Sequence, residues 1–222
     1  TFLSFLSEPS VFLRENSLKA IYKLGDANVV IRAFANLTEE RLFHNKKLIS
    51  DGLLEFTGDK EELNRKLLDN LPSFSSDIRE AVIDYYSHID WHRCDDTITD
   101  MLSDINTDID EICSIIRKLG RNENKPNRDV IFTIVKEYMN QDSCEPAIVG
   151  VTELGDYIND DEINELLLLA LTSRNWYVRI NSAKALVKNG VSVMTQNFID
   201  ACEDQFAKDA FNYALKIEEG QV

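Results

Sequence analysis

Glycine and proline are scarce in this chain, with eight glycines and four prolines among 222 residues. Proteins built from many short strands need more of both residues for their tight turns. No apolar run approaches the roughly 20 residues that a membrane-spanning helix requires. These shortages predict an all-α chain with short turns and no membrane-spanning helix of its own.

Positive charge is also in short supply. The chain has 24 Lys and Arg against 39 Asp and Glu, a formal net charge of −15, while 44% of its residues are hydrophobic. So acidic a surface repels nucleic-acid phosphates and anionic lipid headgroups. We therefore expect a large buried core and a protein partner, and no nucleic acid.

Cysteines are few and none forms a Cys-x-x-Cys pair. The four are Cys94, Cys113, Cys144 and Cys202. Each lies among residues typical of helices, which favours reduced core side chains and a cytoplasmic protein. One disulfide pair remains the alternative.

Two segments of the chain repeat one another. Residues 13–25 read LRENSLKAIYKLG and residues 178–190 read VRINSAKALVKNG, with seven of thirteen positions identical. Weaker copies begin at Leu42, Ile78, Ile109 and Ala147. The spacing predicts a unit of roughly 30 to 40 residues.

Each unit divides into two helices. In the last unit, glycine 190 stands where a helix C-cap favours a left-handed residue. The second helix is expected to begin near Thr195, which can cap it, and to carry Phe198, Ile199 and Cys202. The first helix has an apolar stripe at helical spacing, made of Val178, Ala183, Leu186 and Val187.

The stretch NWYVRINSAKALVKNG, residues 175–190, resembles the first helix of a HEAT-like repeat of the bacterial type also found in phycobilin lyase relatives. Residues 13–25 resemble it too. The resemblance implies a right-handed α-α superhelix, a solenoid, of about six two-helix repeats in one domain over residues 1–222. More loosely, the chain resembles HEAT-repeat domains that follow an N-terminal membrane anchor. Because it starts at Thr1 without methionine, we expect a fragment of a longer cytoplasmic protein, with a missing N-terminal anchor that holds it at the cytoplasmic face of the membrane as the alternative.

Enzyme signatures are absent from the sequence. It has no glycine-rich phosphate loop and no Gly-x-Ser-x-Gly elbow. HEAT-like hydroxylases carry repeated His-Glu pairs, but none of His44, His88 and His92 is followed by Glu. The expectation is a protein that is not an enzyme and that holds no cofactor.

The segment SHIDWHRCDD, residues 87–96, concentrates two histidines, a cysteine and three aspartates. His88 and His92 have the spacing that chelates a metal on a continuous helix. The repeat register instead predicts an inter-helix turn at Trp91 and His92, with Cys94 facing the core. We expect a turn and no metal, with a metal site as the alternative.

Acidic residues recur on the expected second helices, which line the concave side in the solenoid that the resemblance implies. The candidate partner-binding residues are Asp96, Asp100 and Asp104 on one helix, and Asp161, Glu162 and Glu165 on another. They predict a protein–protein interaction scaffold with an acidic concave surface for a basic or helical partner. An enzyme accessory or lyase-like protein with a ligand pocket lined by His, Trp or Tyr is the alternative.

Three further expectations concern packing. Trp176 and Tyr177 are expected to pack on the preceding repeat, with an aromatic binding anchor as the alternative.

Arg14, Arg79 and Arg179 hold equivalent positions in their repeats. They are expected to bond a carboxylate or a helix C-terminus in a neighbouring repeat, with exposed guanidinium groups at the surface as the alternative. The apolar N-terminal cluster is expected to pack on the first repeat; it consists of Phe2, Leu3, Phe5 and Leu6.

Overall fold

A computed structural model of the chain describes residues 2–37, 46–89, 94–102, 107–120, 125–157, 160–188 and 190–220. These residues form fourteen α-helices, one short 3-10 helix and no strand. They divide into two compact units, Thr1–Thr97 and Ile98–Val222. The prediction of an all-α fold class is confirmed.

The first unit is a set of packed helices. Its two rows are α2, α4 and α6, which pack on each other in chain order, and α3 with α5. Helix α2 also packs on α3 of the other row. Burial of apolar side chains between the helices stabilises the fold by about 1.5–3 kcal/mol for each large side chain. The bounds are α1 Phe2–Phe5, α2 Val11–Leu24, α3 Ala27–Ala35, α4 Lys46–Leu54, α5 Lys60–Asn70, the 3-10 helix Leu71–Ser73, α6 Ser76–Ser87 and α7 Cys94–Leu102, which reaches into the second unit.

Two glycines meet where the turn after α2 contacts the turn after α4. Gly25 ends α2 in the left-handed conformation with φ of 68°, as a C-cap glycine should. A Cβ atom on Gly58 would lie 2.0 Å from the carbonyl oxygen of Gly25. Thr57 donates its hydroxyl to the carbonyl of Lys23 at 3.1 Å, which satisfies an acceptor at the end of α2. The two turns therefore pack backbone to backbone.

The N-terminal cluster is only partly buried. Helix α1 packs against α2, and Leu6 just after it is fully buried. Phe2 and Phe5 keep 44% and 41% of their surface exposed. The expected packing on the first repeat helix is confirmed for Leu6, and the two phenyl rings remain at the surface.

The second unit also has two rows. The even row is α8, α10, α12 and α14, each packed on the next, and the odd row is α9, α11 and α13. Close contacts of α9 with α10 and of α11 with α12 join the rows. The bounds are α8 Ile109–Leu119, α9 Lys125–Tyr138, α10 Glu145–Leu154, α11 Asp161–Ala170, α12 Trp176–Lys188, α13 Val193–Ala201 and α14 Gln205–Glu218.

The six segments predicted as first helices are α-helical where the structure describes them, in α2, α4, α6, α8, α10 and α12, and the segment predicted from Leu42 is described only from Lys46. One predicted boundary is wrong. Helix α13 begins at Val193, and Ser192 caps it by accepting the Thr195 amide at 3.1 Å. Thr195 lies inside the helix and is buried, and Ser192, three residues before the capped amide, takes the capping position that was predicted for Thr195. Among the described helices, none combines the length and apolar character that crossing a bilayer requires.

The contact between the two turns can be tested with two glycine substitutions. We expect Gly58→Ala to lower the free energy of unfolding by about 2 kcal/mol, because its Cβ would overlap the facing backbone. Gly190→Ala is the control, since its φ is 82° and nothing lies within 4 Å of its Cβ position. It should cost about 1 kcal/mol from backbone strain alone. Urea unfolding measures both variants, and a smaller loss for Gly58→Ala than for the control would contradict the expected overlap.

Candidate functional site

Helix α11 carries three of the six predicted acids. Asp160 is its N-cap and accepts the Ile163 amide at 3.2 Å. Asp161 and Glu162 stand in the first turn, where negative charge stabilises the positive end of the helix dipole. The buried side of α11 holds Ile163, Leu166, Leu167, Leu168 and Ala170. The second helix that was expected to carry these acids is therefore present, and an aspartate caps it.

An arginine of the neighbouring helix α9 fixes the start of α11. Arg128, with only 9% of its side chain exposed, donates Nε and Nη2 to the two carboxylate oxygens of Asp160 at 3.0 and 2.8 Å. Its Nη2 also donates to Glu162 Oε2 at 2.7 Å, and its Nη1 donates to Asp129. The guanidinium carbon lies 5.4 Å from the centre of the Phe132 ring. Three carboxylates and one aromatic ring thus hold a single cation.

This arrangement shifts the pKa of both main partners away from neutrality. Burial by itself raises the pKa of Asp160, but hydrogen bonds from Arg128 and from the Ile163 amide outweigh it, and the pKa falls below its ordinary value. Burial by itself lowers the pKa of Arg128, and its carboxylate partners more than reverse this. Both groups therefore stay charged at neutral pH.

The remaining acids of α11 face solvent. Asp161 and Glu165 are exposed and have no ion pair or side-chain hydrogen bond in the described part of the chain. Glu162 keeps 74% of its side chain exposed although it bonds Arg128. Asp161 and Glu165 are one turn apart on the same outward side of the helix. They can therefore contact another molecule without first breaking an internal bond.

The other predicted acids lie on α7. Asp96 and Asp100 are exposed, whereas Ile98 and Leu102 of the same helix are buried. Among these four residues of α7, the acids are therefore at the surface and the apolar side chains are in the core. Asp104 lies outside the described residues, as does the side chain of Cys94.

The histidine-rich segment is only partly described. Helix α6 ends at Ser87, and His88 is its C-cap, with ring Nδ1 2.6 Å from the Asp84 carbonyl oxygen. Trp91 and His92 lie outside the described residues. Where the structure describes the chain, no three His, Cys, Asp or Glu side chains form a group able to hold a metal.

Four arginines occupy the same place in their helices. Arg14, Arg79, Arg128 and Arg179 are each the fourth residue of a helix. Three of them donate to backbone carbonyls of the segment just before their own helix: Arg14 to Glu8 and Pro9, Arg79 to Phe74, and Arg179 to Thr172 and Ser173. The arginine thereby ties the entry of the chain to the first turn of the helix.

Two of these arginines also bridge between helices. Arg179 Nη1 donates to Asp204 Oδ2 at 2.6 Å, and Asp204 is the N-cap of α14. Arg128 bonds Asp160, the N-cap of α11. In both cases the carboxylate caps the next helix of the same row. The expected bond to a neighbouring carboxylate is confirmed for Arg179, and Arg128 is an additional case that the repeat pattern did not indicate.

Aromatic side chains are exposed at the starts of α12 and α14. Trp176 and Tyr177 keep 45% and 64% of their surface exposed, and Phe206 keeps 67%. The Arg179 guanidinium lies 5.8 Å from the centre of the Phe206 ring. The expected packing of Trp176 and Tyr177 on the preceding helix is therefore limited, because most of the Tyr177 ring faces solvent.

Three cysteines have described side chains, and all three are free thiols. Cys113 and Cys144 are buried, and burial raises the pKa of each thiol. A raised pKa keeps the thiol protonated and poorly reactive. Cys202 is partly exposed.

Comparison with known proteins leaves the chain without a family assignment. No family model matches it, and no curated protein matches it significantly. The HEAT-like resemblance therefore depends on the residues of the chain alone.

Arg128 is the site residue that sequence analysis missed. Its surroundings, KPNRDV, lack the Asn-Ser-x-Lys signature of the two best repeats. The sequence did contain one signal for the pair, because Asp160 follows Arg128 by 32 residues, which is close to the length of one repeat.

The Arg179–Asp204 bond predicts a pH dependence of stability. Burial raises the pKa of Asp204, but hydrogen bonds from Arg179 and the Ala207 amide lower it further than burial raises it. A lowered folded-state pKa stabilises the fold above the ordinary value of about 3.9, and this contribution is lost as the pH falls through the folded-state pKa. We expect Asp204→Asn, which can still cap, to cost about 1 kcal/mol at pH 7. The cost should shrink as the pH falls below about 4.

Urea unfolding at several pH values measures this effect. Asp59→Asn is the control, because Asp59 caps α5 by accepting the Glu62 amide and has no arginine contact in the described chain. A cost for Asp204→Asn that stays constant down to acidic pH would show that the ion pair does not stabilise the fold.

Proposed function

We propose that the chain is a protein-interaction scaffold without enzymatic activity, and that it binds a basic or helical segment of a partner protein through exposed carboxylates. In this proposal the helices form a right-handed HEAT-like solenoid of about six repeats, and the binding surface is its concave side. The cytoplasm is the proposed location, because the three cysteines with described side chains form no disulfide.

The proposal depends on two carboxylates of α11 that bond no other residue in the described part of the chain. Asp161 and Glu165 are exposed and have no partner among the described residues, one turn apart on an ordered helix. Carboxylates that make no internal bond keep their full capacity to attract a cationic partner.

The unit that contains α11 carries most of the negative charge, which supports the proposed binding of a basic partner there. Residues 98–222 contain 12 Lys and Arg and 22 Asp and Glu, a net charge of −10, and residues 1–97 contain 12 and 17, a net charge of −5. Two thirds of the excess negative charge thus belongs to the unit that contains α11. A field of this sign speeds the encounter with a basic partner, and salt weakens the effect.

The first turn of α11 is fixed in position before binding. Arg128 fixes the cap and Glu162 of α11, so the first turn of the helix is held in place before a partner arrives. Binding to a rigid surface costs less conformational entropy than binding to a mobile one.

The pocket alternative has less support. Two cavities are described in the first unit, and neither has a His, Trp or Tyr among its lining residues. The His, Trp or Tyr lining that would favour a lyase-like or accessory protein is therefore missing from both of these cavities.

The proposal is tested by removing charge from α11. The probe is a labelled helical peptide with lysines on its polar face, and stopped-flow fluorescence measures its association rate. We expect Asp161→Asn/Glu165→Gln to slow association at low salt by roughly threefold to tenfold, with little effect near physiological salt. The second predicted set is tested by Asp96→Asn/Asp100→Asn/Asp104→Asn, for which slower association is also expected.

Asp110→Asn/Glu145→Gln provides the matched control. It removes the same charge from the second unit, from exposed residues in the first turns of α8 and α10 in the even row. An equal slowing in the control and in the α11 variant would mean that only net charge matters. That outcome would reject α11 as the binding surface.

A further inference from the structure

Helix α3 of the first unit has a groove on each side. One is an apolar groove with a volume of about 420 Å³. It is lined by α1, the end of α2 and the start of α3, through Phe2, Leu3, Phe5, Leu24 and Val29. Cavities of this size accommodate several apolar side chains or a small ligand.

The apolar groove is open to solvent. Leu24 is 58% exposed, while Phe2 and Phe5 are 44% and 41% exposed. The buried neighbours Leu18 and Ile21 on α2 are at most 1% exposed. Contiguous apolar surface of this kind marks a binding site more often than single exposed residues do.

The second groove is cationic and lies between α3 and α5. Its volume is about 360 Å³, and Asn28, Ile31, Arg32, Lys66 and Asn70 line it. Arg32 makes no ion pair in the described chain, and its Nε donates at 3.4 Å to the carbonyl of Asn28. Lys66 Nζ lies 3.6 Å from a Glu62 oxygen, a surface pair of the i,i+4 kind that contributes little. Both cations are therefore available to an anionic group.

Local charge around the two grooves is close to zero, unlike that of the whole chain. Residues 2–37 contain four Lys and Arg and three Asp and Glu, a net charge of +1, and residues 59–70 contain three and four, a net charge of −1, against −15 for the protein. Arg32 and Val29 are three residues apart on the exposed side of α3, so the cationic and apolar grooves adjoin across one helix.

We propose that the two grooves flanking α3 bind an acidic amphipathic helix of another protein. Apolar side chains of that helix, three and four residues apart, enter the apolar groove. Carboxylates on its flank reach Arg32 and Lys66 in the cationic groove. This surface is separate from the carboxylates of α11 and takes a ligand of opposite charge.

Other occupants fit the grooves less well. A lipid acyl chain is usually enclosed over most of its surface, whereas these lining residues leave the groove open. The net charge of −15 repels an extended anionic bilayer more strongly than one short acidic helix, because the bilayer presents many more negative charges. A helix needs only one side covered, and its carboxylates match the two cations.

Two synthetic peptides test the proposal. Both are labelled amphipathic helices with leucines on one side, and the polar side carries glutamate in one and lysine in the other. Fluorescence anisotropy at low salt should show that the glutamate peptide binds, although the overall charge of the protein opposes it. We expect Arg32→Glu and Leu24→Gln each to weaken that binding by about tenfold.

Matched substitutions in the second unit are the controls. Lys184→Glu on α12 reverses one exposed charge, and Leu169→Gln on α11 replaces a leucine that is 50% exposed. Both controls should bind the glutamate peptide as the parent does. Urea unfolding of all four variants, each changed at an exposed residue, checks that the fold is intact.

Three outcomes would overturn the proposal. The first is no binding of the glutamate peptide, or binding that Arg32→Glu and Leu24→Gln leave unchanged. The second is a dimer of the chain alone that these two variants abolish, since a second copy would then occupy the grooves. The third is stronger binding to phosphatidylcholine–phosphatidylglycerol vesicles than to the peptide, lost in Leu24→Gln. The lysine peptide reports on the α11 carboxylates, so the two proposals can fail independently.

Discussion

The second unit depends on one kind of bond. An arginine near the start of one helix bonds the aspartate that caps the next helix of the same row. Arg128 holds Asp160 in this way, and Arg179 holds Asp204. Each bond joins two features that local sequence favours separately, a fourth-position arginine and an aspartate cap. Apolar side chains pack the helices of a row together, and the arginine–aspartate bond fixes the first turn of one helix beside the first turn of the next.

The same bond decides which acids are free. Arg128 occupies Asp160 and shares Glu162, so the charge that α11 presents without restraint comes from Asp161 and Glu165. Helix α3 presents a free positive charge instead. Arg32 has no acidic partner among the described residues, and it lies beside an apolar groove. The two surfaces proposed to bind partners, one in each unit, therefore differ in the sign of their charge. Net charge alone describes only the first of them.

Sequence periodicity predicted the helices well because each helix buries one side, which fixes the spacing of its apolar residues. It predicted the left-handed conformation of Gly190, since glycine adopts that conformation without strain, and Gly25 at the equivalent position of the first repeat adopts it too. It did not predict Arg128, whose partners lie on other helices, nor the exposure of Phe2 and Phe5, which depends on what covers them. The acids on α7 and α11 were predicted to face solvent, and their placement on one concave surface remains a proposal.

The contacts that tie helix ends together have a consequence for how the chain folds. Thr57 bonds Lys23 across 34 residues, Ser173 bonds Met139 across 34, and Arg128 bonds Asp160 across 32. Each link closes a loop of similar, moderate length, so no single closure carries an exceptional entropic cost. Such a chain can acquire structure piecewise, as each new helix finds its neighbour already formed. Loss of order should likewise begin at the helices with only one neighbour.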